Sequence, residues 1–268
     1  MRTERGTGRG DTVLAVYVGA VALFLVLPVA IVLPVSLNAG GALAFPFEGL
    51  SLRWYRNIFA RPEFVRSFLT SVAVALTATA ASLTLGAAAA YGLVRGRVPG
   101  RGLLQVLFVT PLVFPSIAYG VALLILLTPL GLTRTTLGLV LAHTVVTLPY
   151  VVRTLAATWA GVDRAIEEAA ELLGASRLQA FRHVVLPLIR PGLLAAATFS
   201  LIISFDEFTV SLFLVGRDVV TLPLQIYYYI EYVIDPTVAA ISTILVGLTV
   251  AVVMTIEKSM GFERFFRL

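Results

Sequence analysis

Six apolar blocks, each long enough to cross a hydrocarbon core as a helix, alternate along the chain with short gaps that hold most of its charge. They run from about Val13 to Leu37, Phe68 to Val94, Leu103 to Leu127, Leu137 to Trp159, Leu193 to Val215 and Val238 to Ile256. This pattern predicts an all-α membrane protein with six transmembrane helices in a single transmembrane domain over residues 13–258, flanked by tails at 1–12 and 259–268. In the gap from Asn38 to Ser67, the spacing of Leu52, Trp54, Tyr55, Ile58 and Phe59 predicts a short amphipathic helix at the interface. A second gap, Val219 to Pro236, carries Tyr227, Tyr228, Tyr229 and Tyr232, which read either as an interfacial aromatic belt or as solute contacts.

Composition agrees with the pattern. Of 268 residues, 59% are hydrophobic and 13% charged, whereas about a quarter of a soluble domain is charged. The absence of cysteine and the presence of two histidines exclude disulfides, thiolate chemistry and a multi-histidine metal centre. A net charge of +5 would suggest nucleic acid in a soluble protein, but here the arginines flank the apolar blocks and orient them, so no nucleic-acid partner is expected. With the N-terminus inside, thirteen Lys and Arg fall in cytoplasmic gaps and six outside, with Arg153 inside the fourth block. Both termini are therefore predicted to be cytoplasmic. Ala42-Leu43-Ala44 after the first block resembles a signal cleavage site, but the block exceeds the roughly 7–15 apolar residues of a signal core and is read as a retained helix.

The gap at 161–190, on the cytoplasmic side by this count, is unusual for so apolar a chain. Asp163 is placed to cap a helix whose early turns hold Glu167, Glu168 and Glu171, where negative charge suits the helix dipole. Gly174 supplies a stop, Ser176 with Gln179 forms a capping-box pattern, and Pro187 and Pro191 are read as ending the second helix and opening the next span. So short a helix pair does not hold its shape alone in water. Ala169 and Ala170 give it a small-residue face, which permits close approach of a partner surface. Anionic lipid is a poor partner for its glutamates.

Glu168-Ala169-Ala170, three residues, Gly174, nine residues and then Val184-Val185-Leu186-Pro187 resembles the EAA loop of permease subunits in binding-protein-dependent ABC importers, with valine where isoleucine is usual. The resemblance implies a type I importer permease (MetI-like) architecture, with Glu168, Ala169, Ala170, Gly174, Leu186 and Pro187 coupling the chain to an ATPase. It further implies a second permease subunit, two ABC ATPases that bind ATP and Mg, and a periplasmic or extracellular solute-binding protein, assembled in the plasma (inner) membrane of a bacterium or archaeon. No phosphate-binding loop of the G-x-x-x-x-G-K-[ST] kind is present, so no cofactor is expected on this chain. Neither a nucleophile elbow nor paired catalytic aspartates occur in the apolar blocks, which speaks against an intramembrane hydrolase and leaves a stand-alone secondary transporter or ion channel, or a non-transport membrane scaffold, as the other readings.

Acidic residues inside a span usually face a cavity or a partner. Asp206 and Glu207 lie well inside the fifth block, in "SFDEFTVSLF" between Phe205 and Phe208, a carboxylate pair with aromatic neighbours that suits a cationic guest. Alternatively, Asp206 pairs with Arg153 or with a partner subunit. Ser204 to Phe208, with "TLPLQIYYYI" and "DPTVAAISTIL", resembles the second permease subunit of spermidine/putrescine-type importers from about residue 50 onward. The resemblance implies a polyamine cargo, although relatives with this pattern serve other small polar solutes. Pro111 and Pro115 interrupt the third block beside Ser116 and Tyr119; such breaks either line a site or are plain kinks. His143 is expected to be an interhelical hydrogen bonder rather than a proton carrier.

Overall fold

The computed structural model describes residues 9–41, 43, 47–96 and 98–260. Arg2, Arg5, Arg97, Arg264 and Arg267 of the charge count, Ala42 and Ala44 of the cleavage-like site, and residues 1–8 and 261–268 of the two tails lie outside the described residues. Among the described residues there is no strand, only two isolated backbone bridges. The helices are α1 (Arg9–Ser36), α2 (Arg53–Ala60), α3 (Pro62–Arg95), α4 (Arg101–Val109), α5 (Ser116–Leu127), α6 (Thr136–Ala160), α7 (Arg164–Leu172), α8 (Arg177–Ala180), α9 (Leu186–Asp206), α10 (Thr209–Leu214), α11 (Leu222–Tyr232) and α12 (Thr237–Met260). Among the described residues, five continuous helices are long and apolar enough to cross a membrane, and a bent pair counts as a sixth where its two halves form one span.

Two of the six predicted spans differ in form. The third block breaks at Val113–Pro115, after a 3₁₀ turn at Thr110–Leu112, and its halves meet at 104°. Pro111 and Pro115 lack the amide protons a continuous ladder needs, so the rod cannot run straight through. The fifth span is displaced towards the N-terminus. It runs from Arg177 to Asp206, not from Leu193 to Val215. Pro187 does not end a helix. It follows a π-helical turn at Phe181–Val185 and occupies the first turn of α9, where a wider turn accommodates a residue that cannot donate to the preceding one.

The chain divides into two compact units, one of residues 63–228 with 249–268 and one of residues 1–62 with 229–248. In the first, α6 runs through both apolar cores. One core joins Val74, Leu123, Leu139, Ala142, Val210 and Leu214; the other joins Ala90, Val151, Leu155, Trp159, Val185 and Ile189. Small residues set the helix crossings. A methyl group on Gly86 of α3 would lie 2.6 Å from Val151, and one on Gly192 of α9 would overlap Thr158.

In the second unit, α2 is the predicted amphipathic helix. It buries Trp54 and Ile58 while Phe59 stays exposed. Trp54 Nε1 donates to Asn38 O (2.7 Å), and Asn57 Nδ2 donates to Thr237 Oγ1 (2.8 Å). Tyr229 OH donates to Asp235 Oδ2 at 2.8 Å, and burial pushes its phenol above the ordinary range so that the donor proton is kept. No residue of α1 between Gly10 and Pro34 is buried.

Candidate functional site

The charged gap folds as a helical elbow. Asp163 Oδ1 accepts from Ala165 N (2.9 Å) and opens α7, while Gly174 takes φ +95° at its end. That left-handed conformation favours glycine and lets the Leu173, Gly174 and Ala175 amides close on the last carbonyls of the helix. Ser176 and Gln179 form a reciprocal capping box that opens α8. Neighbouring glutamates diverge in role. Glu168 is exposed and pairs with Arg164 one turn away (3.0 Å), whereas Glu167 turns inward to Arg95 (3.1 Å). Ala169 is exposed, Ala170 half-buried, and Leu172 and Leu173 are 89% and 90% exposed. Leu186 and Pro187 are also exposed, and Val185 and Ile189 carry the anchoring contacts into the core.

At the break in the third span lies a cavity of about 120 Å³, lined by Phe114, Ser116 and Tyr119 on one side, Val146 and Tyr150 of α6 on another, and Ile203, Glu207 and Val210 on a third. Glu207 sits between α9 and α10. Its Oε1 accepts from Val210 N (2.9 Å), capping α10, and among the described residues its other oxygen has no hydrogen-bond partner. A carboxylate oxygen and two tyrosines around one small space can hold an ammonium group by charge and by ring faces.

The predicted pathway residues are thus only partly brought together. Glu207 and Tyr119 line the cavity. Asp206 is the exposed last residue of α9, outside that wall, and makes no ion pair with Arg153 among the described residues. Arg153 faces a separate cavity with Gln105 and Pro149. Phe205 packs edge-on against Phe68 (6.1 Å between ring centres), and Phe208 against Tyr227 (5.3 Å). Ser204 is buried and bonds to His143 Nδ1 at 2.8 Å, while Ser211 meets Nε2 at 2.9 Å and donates to Glu207 O at 2.8 Å. Because the Ser211 proton is committed to Glu207 O, His143 Nε2–H donates to Ser211 Oγ. Sequence reasoning missed Tyr150; its spacing of four from Val146 on α6 puts both on one face.

Residues 82–258 match the family model described as binding-protein-dependent transport system inner membrane component. The chain belongs to this family. Among relatives of this permease, the spermidine/putrescine transport system permease protein PotC of Haemophilus influenzae is 30% identical over 86% of the chain and 90% of its own length. A probable molybdenum ABC transporter permease of Haloferax volcanii is 33% identical over 96% and 94%. The putrescine transport system permease protein PotI of Escherichia coli is 29% identical over 84% and 82%. The fold matches that of a bacterial ABC transporter that imports alginate, with a TM-score of 0.69 at 18% identity over 99% of both chains. The permease is therefore a non-catalytic, multi-pass membrane subunit of an ABC importer.

Proposed function

We propose that this subunit moves a small cationic solute of the polyamine class into the cytoplasm by alternating access, in the inner membrane of a bacterium or archaeon. The observation that carries the cargo class is Glu207, set with one free carboxylate oxygen beside Tyr119 and Tyr150. Relatives named for spermidine and putrescine support the same class. A second reading, another small solute of the same importer class, is favoured by the relative named for molybdenum. An oxyanion would meet a carboxylate at this wall, so the cation is preferred.

Energy comes from a pair of ATPase subunits that hold ATP and Mg and dock on the elbow through Glu168, Ala169, Ala170 and the region of Gly174, while Leu186 and Pro187 continue it into α9. A second permease subunit completes the pore, and a solute-binding protein delivers cargo from outside. Closure of the ATPases displaces the elbow and switches cavity access from one side to the other.

The test is uptake of labelled putrescine and spermidine by proteoliposomes holding the whole complex. Glu207→Gln is expected to lower uptake about tenfold, the loss of one charge-assisted contact, while the complex still assembles. Unchanged polyamine uptake in that variant removes the cation reading. Uptake by the wild-type permease without ATPases or nucleotide converts it to a stand-alone transporter.

A further inference from the structure

α7 carries no fully buried residue, so little apolar packing fastens it to the membrane helices. Among the described residues its other ion pairs are exposed: Arg164 with Glu168 inside α7, and a 3.9 Å contact from Glu171 to Arg177 at the start of the fifth span, where Arg177 is 93% exposed. Arg95 makes the different connection. It is the last residue of α3, and its Nη2 donates to Val162 O (2.6 Å) at the α6–α7 corner while lying 3.1 Å from Glu167 Oε1 on α7. Both side chains are largely withdrawn from solvent, at 13% and 20% exposure. The cation stands at the C-terminus of α3 and the carboxylate in the first turn of α7, so each charge suits the dipole of its own helix.

We infer that Arg95 is the strut through which displacement of the elbow reaches the membrane helices. One guanidinium joins the end of α3, the end of α6 and the start of α7, so a pull on α7 is delivered to two membrane helices together. α6 carries the pull onward to Val146 and Tyr150 of the cavity wall. The strut also has room to tighten. Arg95 Nε is buried without a hydrogen bond, and it is the second donor that a side-on bidentate pair would use, with one Glu167 oxygen on Nε and the other on Nη2. Nη2 has two protons, so closing that pair leaves the bond to Val162 O in place.

This inference rests on the elbow being the ATPase dock, and its experiment separates the two. In proteoliposomes holding the complete importer, ATP hydrolysis and solute uptake are measured side by side for the wild type, Arg95→Ala, Arg95→Lys and Glu167→Gln. Arg95→Ala and Glu167→Gln are expected to keep the ATPases bound and hydrolysing while the ATP consumed per solute rises about tenfold, the scale of a typical coupling between sites. Arg95→Lys, which keeps the charge and one of the two contacts, is expected to recover part of the loss. An unchanged ATP-to-solute ratio in either variant overturns the strut, and so does loss of the ATPases from Arg95→Ala, which would make Arg95 a docking residue. Should Arg95→Ala fail to accumulate, the isosteric Glu167→Gln decides alone. Nucleotide-independent uptake by the wild type instead removes the docking reading beneath it.

Discussion

His143 shows how much one side chain contributes to this molecule. Its ring bridges Ser204 at the end of α9 and Ser211 in α10, and Ser211 in turn holds the carbonyl of Glu207. Replacing it by alanine opens a void among buried neighbours and leaves two seryl hydroxyls without their ring partner. Each effect is destabilising, together about 3 kcal/mol. His143→Ala is therefore expected to lower the unfolding midpoint of the detergent-solubilised protein by several degrees, and an unchanged midpoint would show that the clasp carries no weight. The sequence made a hydrogen-bonding histidine legible, but not its partners. They lie 61 and 68 residues away, and only the packing of α6 against α9 and α10 brings them within reach. The same holds for Glu167 and Glu168. Successive positions on a helix point about 100° apart, and which one faces inward depends on Arg95, far off in the chain.

At the scale of elements, the elbow was legible and the fifth span was not. Caps and a glycine stop act within a few residues, so Asp163, Gly174, Ser176 and Gln179 announce their roles locally. The start of the span at Arg177 was hidden because Pro187 and Pro191 look like terminators until the π-helical turn before them is seen. That shift also moves Asp206 and Glu207 from mid-span to a helix end, where only Glu207 turns to the cavity. Gly174 gives a prediction at this scale. Open space surrounds the position a Cβ would take, so substitution is opposed by backbone conformation alone, at about 1–2 kcal/mol for most residues and less for asparagine. Gly174→Asn is expected to keep most uptake and Gly174→Val to lose it, with equal amounts of permease in the membrane for both. Normal transport by the valine variant would show that the turn does not set the elbow's shape.

For the whole molecule, the predicted sidedness has a direct test. The chain has no cysteine, and Leu173 is 90% exposed at the tip of the elbow, so Leu173→Cys supplies one accessible thiol. A membrane-impermeant maleimide is expected to label it in inside-out vesicles and not in right-side-out ones, and bound ATPases are expected to shield it. Labelling from the outer face would invert the topology on which the docking reading depends. The fold class was readable from the chain because six apolar blocks leave few alternatives to a helical membrane protein. The cavity was not, because its walls come from α5, α6, α9, α10 and the break at Val113–Pro115. The break after α9 has a last consequence for capture. Glu207 is fixed at its carbonyl by Ser211 and at its carboxylate by the Val210 amide, so its freedom is lost when the chain folds and not when a solute arrives. On the polyamine proposal, an incoming cation meets a Glu207 carboxylate already held in place, and little of the attraction is consumed in arranging that side chain.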